Sequence, residues 1–111
     1  MIYIIRDRAT PEQIKDMLQM LQAYIKLAVD IDRGILAGGG AMHADCEGVL
    51  LEDGSQQEFI WGADWDPNAQ LVTFESLINI RPRQNNPSME ILDTEICQKV
   101  TEIAVRLLGG A

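Results

Sequence analysis

The sequence predicts an α+β fold: an antiparallel β-meander of about four strands plus a short N-terminal strand, with two helices packed on one face. Three observations predict it. Two segments place apolar residues at three-and-four spacing behind helix-start signals. Between them, several segments alternate apolar and polar residues. Tight turn signals join those alternating segments, which makes consecutive strands an antiparallel meander. The chain has 111 residues, 47% apolar and 23% charged. That length fits a single domain over residues 1–111, able to bury about two-thirds of the surface an unfolded chain exposes.

Met1–Ile5 is short, β-branched and aromatic and reads as a strand ended by Arg6–Thr10. Thr10 then suits an N-cap, Pro11 the first helical position, and Gln13 completes a Thr-x-x-Gln capping box. Ile14, Met17, Leu18 and Leu21 follow on one face. Beyond Ala23 the period changes. Ile25, Leu27, Val29 and Ile31 alternate with Lys26, Ala28, Asp30 and Asp32, so the helix ends near Ala23 and a half-buried strand starts near Tyr24. A helix running on to Val29 is the alternative. The chain turns at Asp32-Arg33-Gly34 into Ile35-Leu36, and Gly38-Gly39-Gly40 suits a bend or bulge.

His43–Leu51 reads as a second long strand, closed by a hairpin at Glu52-Asp53-Gly54-Ser55, with Phe59–Trp65 as its return. Asp66-Pro67-Asn68-Ala69 turns again, and Leu71–Arg81 reads as a further strand stopped by Pro82. After a polar loop, Arg83–Ser88, a last helix runs from about Thr94 to Leu108, capped by Asp93 and stopped by Gly109-Gly110.

Charge narrows the function classes. Nine Lys plus Arg against 17 Asp plus Glu leave a net charge of −8, which repels phosphate backbones and anionic lipid surfaces. Nucleic acid is therefore disfavoured as a partner, and no apolar run approaches the roughly 20 residues that span a bilayer. The start of the chain lacks a basic segment followed by a long apolar core, so no export signal is expected. Two cysteines, Cys46 and Cys97, are too few for a disulfide scaffold; reduced thiols in the cytoplasm are the expectation.

Under the strand reading, His43, Asp45 and Glu47 share one sheet face, while Ala44, Cys46, Gly48 and Leu50 share the other. Trp61 and Trp65 fall on an apolar face under the helices. The opposite face collects His43, Asp45, Glu47, Asp64, Glu75, Asn79 and Arg81. Same-face neighbours on a strand stand about 6.5–7 Å apart, so His43-x-Asp45-x-Glu47, with Glu75 or Asp64 across the sheet, could share a divalent Mn, Fe(II) or Zn ion. The plainer reading is a solvated polar face. Cys46 and His43 fall on opposite faces, which prevents a Cys/His pair, and the triple glycine enters a strand without the Lys of a phosphate loop.

The stretch Arg81-Pro82-Arg83-Gln84-Asn85-Asn86-Pro87-Ser88 sets two guanidiniums among amides on a stiffened backbone. With Asn79, the residues Arg81, Arg83 and Asn85 could clamp a phosphate or carboxylate, or dock a protein. The plainer reading is a surface loop whose arginines pair with the acidic excess.

The strings ILAGGGAMHADCE, LLEDGS, IWGADW and ESLINIRPRQNN resemble a family of short uncharacterised prokaryotic proteins, notably cyanobacterial, grouped as a domain of unknown function. The resemblance covers roughly residues 6 to 108 and implies no substrate, cofactor or catalytic residue.

These observations favour a small cytoplasmic binding or regulatory module that uses a polar sheet face and the Arg/Asn loop to hold a protein or small-molecule ligand. A small metal-dependent hydrolase on His43, Asp45, Glu47 and Glu75 is the first alternative, and an acidic, antitoxin-like partner of a basic protein the second. No cofactor other than that divalent metal is expected. Uncovered edge strands would favour a homodimer.

Overall fold

Thr10 starts the first helix as its spacing predicts. Its Oγ1 accepts the Gln13 N–H at 3.2 Å, and Gln13 Oε1 accepts the Thr10 N–H at 2.9 Å. The computed structural model describes residues 1–111. Its strands are β1 (Tyr3–Ile5), β2 (Ile25–Asp30), β3 (Ile35–Gly38), β4 (Ile60–Asp66) and β5 (Leu71–Thr73). Its helices are α1 (Pro11–Leu18), α2 (His43–Glu52) and α3 (Thr94–Leu108). Short 3₁₀ turns occupy Gln57–Phe59, Leu77–Asn79 and Pro82–Gln84.

The fold is α+β, built on a five-stranded antiparallel sheet in the order β1-β3-β2-β4-β5. That order departs from a simple meander. Strands β1 and β2 both pair antiparallel to β3, so they run parallel to each other; β3 and β4 are related in the same way through β2. Connections between parallel strands must cross the sheet, and here α1 and α2 make the crossings. Both step the same way across the sheet but leave from strands of opposite direction. A crossover of one hand therefore sets the two helices on opposite faces.

The two helices expected from the sequence, α1 and α3, do share one face, and the topology adds a third, α2, on the other. Ile14 and Met17 of α1 and Val100, Ile103, Ala104, Leu107 and Leu108 of α3 pack with Ile25, Leu27, Val29, Trp61 and Trp65. On the other face, Cys46 and Leu50 of α2 close over Ala28, Ile35, Ala37 and Ile60. Both tryptophans are buried, as the alternation predicts.

The segment read as the strand His43–Leu51 is α2. Its inward stripe is His43, Cys46, Glu47 and Leu50, a helical i, i+3, i+4, i+7 set in which Cys46 and Leu50 are buried and the other two half-buried. Two of the four are polar, which hid the helical period. The Asp53-Gly54 pair ends this helix and makes no hairpin: Asp53 is its C-cap, and Gly54 follows at φ +102, a left-handed position. The first helix also stops at Leu18, short of Ala23, because residues 19–23 turn and Gln22 takes φ +67.

Leu71–Arg81 is not one strand either. After Thr73 the chain leaves β4, and Ser76 caps the turn Leu77–Asn79 by accepting the Ile78 N–H at 3.3 Å. Beyond β5 the open edge of β4 is met by side chains. Asn79 Oδ1 accepts the Gly62 N–H at 2.7 Å, and its Nδ2 donates to the Gly62 carbonyl at 3.0 Å, as a neighbouring strand would. Gly62 is needed for this approach, since a Cβ there would stand 2.5 Å from the Ser76 Cβ.

Candidate functional site

Helix α2 begins beside an extended Met42 that provides no side-chain cap. From the first helical position the His43 ring reaches β4, where Nε2 lies 2.8 Å from Asp64 Oδ1 and 3.1 Å from the Ala63 carbonyl. Both neighbours are acceptors. Nε2 is therefore the protonated nitrogen, and in the neutral ring Nδ1 is left as an acceptor. Asp64 lies opposite Lys26 in the β2–β4 register. The two central strands and the start of α2 thus bring an ammonium, a carboxylate and an imidazole to one end of the sheet.

A cleft of about 520 Å³ opens there, walled by Tyr24, Lys26, His43, Asp64, Glu75 and Leu77, with Met42 and Met89 beside them. A second, of about 500 Å³, is lined by Glu47, Gln57, Ile80, Arg81 and Arg83 and again by Leu77. Leu77 belongs to both and is 64% exposed, so the two are lobes of one groove parted by an apolar ridge. Each lobe falls in the volume range of ligand sites, roughly 300–1,000 Å³.

Arg81 holds the floor of the second lobe. Its Nε donates to the Ile78 carbonyl at 2.9 Å and its Nη1 to the Gln57 carbonyl at 2.8 Å; Nη2 donates to the Ile60 carbonyl and lies 3.4 Å from Glu47 Oε2. The guanidinium also sits over the Trp61 ring, 4.7 Å from its centroid. Burial lowers the Arg81 pKa, and the Glu47 charge raises it. Burial likewise pushes the Glu47 carboxyl up, and Arg81 pulls it back. The pair is structural in geometry, joining α2 to the sheet edge.

The four residues proposed as a ligand clamp thus separate. Arg81 is engaged as above. Asn79 is fully buried, with its amide bonded to Gly62, Phe74 and Met89 backbone. Arg83 lines the second lobe and is exposed. Asn85 is exposed at φ +60, closing the turn Pro82–Gln84.

The proposed metal set was built on a shared strand face, and the helix removes that premise. Each helical residue rotates about 100°, so Asp45 turns away from His43, is exposed and lines neither lobe. Glu47 faces Arg81, His43 faces Asp64, and Glu75 stands at the first lobe. No three His, Cys, Asp or Glu side chains gather closely enough to hold a metal ion. Cys46 and His43 are i, i+3 neighbours on α2, where the strand reading set them on opposite faces. Even so, the Cys46 thiol donates to the Lys26 carbonyl at 3.6 Å, and burial pushes its pKa up, away from the reactive thiolate.

Tyr24, Lys26, Met42, Leu77 and Met89 were not singled out from the sequence. Lys26 carried a usable signal, a lone cation inside a strongly apolar alternating strand. The two methionines fall in segments without a period and Leu77 in a stretch that reads as strand but folds as a turn, and only the tertiary fold brings them together.

The model of a family described as a protein of unknown function, DUF5674, matches residues 3–107. No curated protein and no solved structure matches the chain.

Proposed function

The chain belongs to DUF5674, and from its groove we propose that it is a binding module whose ligand lies across Leu77, between the His43–Asp64 end and Arg83. One observation carries this reading: α2, β2, β4 and the 73–89 segment converge on a groove that sets exposed apolar side chains beside charges with no protein partner. Lys26, Glu75 and Arg83 all line the groove, whereas the chain's ion pairs are Arg6–Asp53, Arg33–Asp53 and Arg81–Glu47, and Asp64 is hydrogen-bonded to His43. Apolar walls with a few convergent polar groups are the usual make-up of a ligand site. The binding surface is thus the groove, and of the Arg/Asn loop it keeps Arg83.

Cys46 and Cys97 are free thiols, which supports a reducing, cytoplasmic setting. No helix is long and apolar enough to cross a membrane.

A thermal-shift screen of a small-molecule fragment library against the wild type, Leu77→Asp and Glu102→Gln tests the reading. Leu77 is exposed, so its replacement leaves the fold intact; Glu102 lies on α3, on the opposite side of the sheet. Fragments that stabilise the wild type and Glu102→Gln should fail with Leu77→Asp. Hits indifferent to Leu77, or lost equally in both variants, would refute the groove as the site.

A further inference from the structure

We propose that the occupant of this groove is a basic, amphipathic segment of a partner protein, which lays apolar side chains on Leu77 and Met89 and Lys or Arg side chains on Glu75 and Glu90. The inference rests on the binding-module reading and names its partner class.

The apolar component is a surface feature that the fold does not use internally. Leu77, Met42 and Met89 are 64%, 51% and 37% exposed, and all three line the first lobe. Ile80, 44% exposed, continues the ridge into the second lobe. An exposed apolar cluster with a charged border is the usual surface of a docking site.

The charge on that border selects the partner. Glu75 and Glu90 pair directly across an isolated antiparallel bridge, so two exposed carboxylates face each other on one side of the ribbon. Like charges set directly opposite are destabilising, and neither carboxylate has an ion-pair partner here, whereas Asp53 holds two arginines and Glu47 holds Arg81. Asp64, already held by His43, lies at this end of the groove with Lys26, while the unpaired Arg83 stands at the far end, so the basic side chains of the partner belong at the Glu75–Glu90 end. A cationic side chain placed between Glu75 and Glu90 would relieve their repulsion, while the neighbouring ridge takes up an apolar side chain. A second copy of this chain is a poor occupant, since it would bring its own net charge of −8 and the same carboxylates.

The test is the affinity of a labelled twelve-residue peptide of repeated Lys-Leu-Ser, measured by fluorescence anisotropy against the full chain. A Glu-Leu-Ser peptide and a Lys-Ser-Ser peptide are its controls. The Lys-Leu-Ser peptide should bind, and both controls should bind at least about tenfold more weakly. Leu77→Ser should weaken binding about tenfold, as expected for an apolar anchor. The double variant Glu75→Gln with Glu90→Gln should weaken it about threefold to tenfold and flatten its dependence on salt. Glu102→Gln should leave it unchanged. All substituted side chains are exposed, and Met89→Ser is a second apolar variant in case Leu77→Ser melts early. Equal binding of the Glu-Leu-Ser peptide, or equal losses in Glu102→Gln and the double variant, would overturn the proposal. If no peptide binds while fragments still depend on Leu77, the groove stands as a ligand site and the basic partner is wrong.

Discussion

The guanidinium of Arg81 joins three backbone carbonyls, the Glu47 carboxylate and the Trp61 ring, so truncating it strands several buried groups at once. The Arg81–Glu47 pair is partly exposed and 3.4 Å apart, so Arg81→Ala should lose about 2–3 kcal/mol in urea unfolding, the range for stranding hydrogen-bonded groups around a charge. Arg81→Lys should recover little, because an ammonium cannot fork to three carbonyls. Arg83→Ala, at an exposed position, should stay within about 0.5 kcal/mol of wild type. Equal stabilities for the two alanine variants would contradict the structural role of Arg81. Asp53 provides a pH test. It accepts from Arg6 at 2.6 Å and Arg33 at 2.8 Å, and these hydrogen bonds hold its carboxyl below the ordinary 3.8. The folded state therefore favours the ionised form. Its contribution is complete above 3.8 and disappears as pH falls through the lowered folded value. Melting curves of wild type and Asp53→Asn should show a constant gap from neutral pH down to about 3.8, narrowing below it and closed once the pH has passed the lowered folded value; a gap that widens in acid would contradict the pairing. Neither arginine role was legible from composition: the loop showed two similar arginines, and only the packing of α2 over the β4 edge tells them apart.

Helix α2 is the element on which sequence and structure part, and the reason is visible in its residues. Its buried stripe alternates polar and apolar members, His43, Cys46, Glu47 and Leu50, so the helical period is half hidden. Asp53-Gly54 resembles a hairpin signal but serves as a helix stop. Elements with stronger local chemistry were readable: the Thr10–Gln13 capping box, the alternation of β2, the paired tryptophans of β4, and the Asp93 cap of α3, whose Oδ1 accepts the Glu95 N–H at 2.8 Å. Two glycine substitutions check the helix. At Gly48, inside α2, an added Cβ meets nothing within 4 Å, so Gly48→Ala should stabilise the protein by about 0.5–1 kcal/mol. At Gly54, φ +102 penalises any Cβ, and Gly54→Ala should destabilise by about 1 kcal/mol or more. Thermal or urea unfolding of the two variants should move in opposite directions. A loss of stability for Gly48→Ala would count against a helix at 43–52.

For the whole molecule, the helix changes what the acidic excess means. As a strand, residues 43–47 would have completed an open polar sheet face. Instead two crossovers leaving from opposed strands cover both faces, and the proposed groove forms where α2 begins and the 74–91 segment wraps the edge of β4. Both edge strands, β1 and β5, are three residues long, and Arg6, Asp7 and Arg8 follow β1 directly; short and charged edges discourage strand addition. The sequence contained much of the groove's chemistry, His43, Glu47, Asp64, Glu75, Arg81 and Arg83, but attributed it to a flat face and a loop. It held no sign of the apolar ridge, because Leu77 lies in a stretch that reads as strand and that the structure replaces with a turn, and Met42 and Met89 come from two other segments. The account's central claim is that binding occurs in this groove. Amide chemical-shift mapping of the isotope-labelled chain during titration with the Lys-Leu-Ser peptide tests it most directly. Shifts confined to Met42–Ala44, Asp64, Thr73–Leu77, Ile80–Arg83 and Met89–Glu90 are the predicted result. Shifts centred on α3, or spread evenly over the acidic surface, would contradict it.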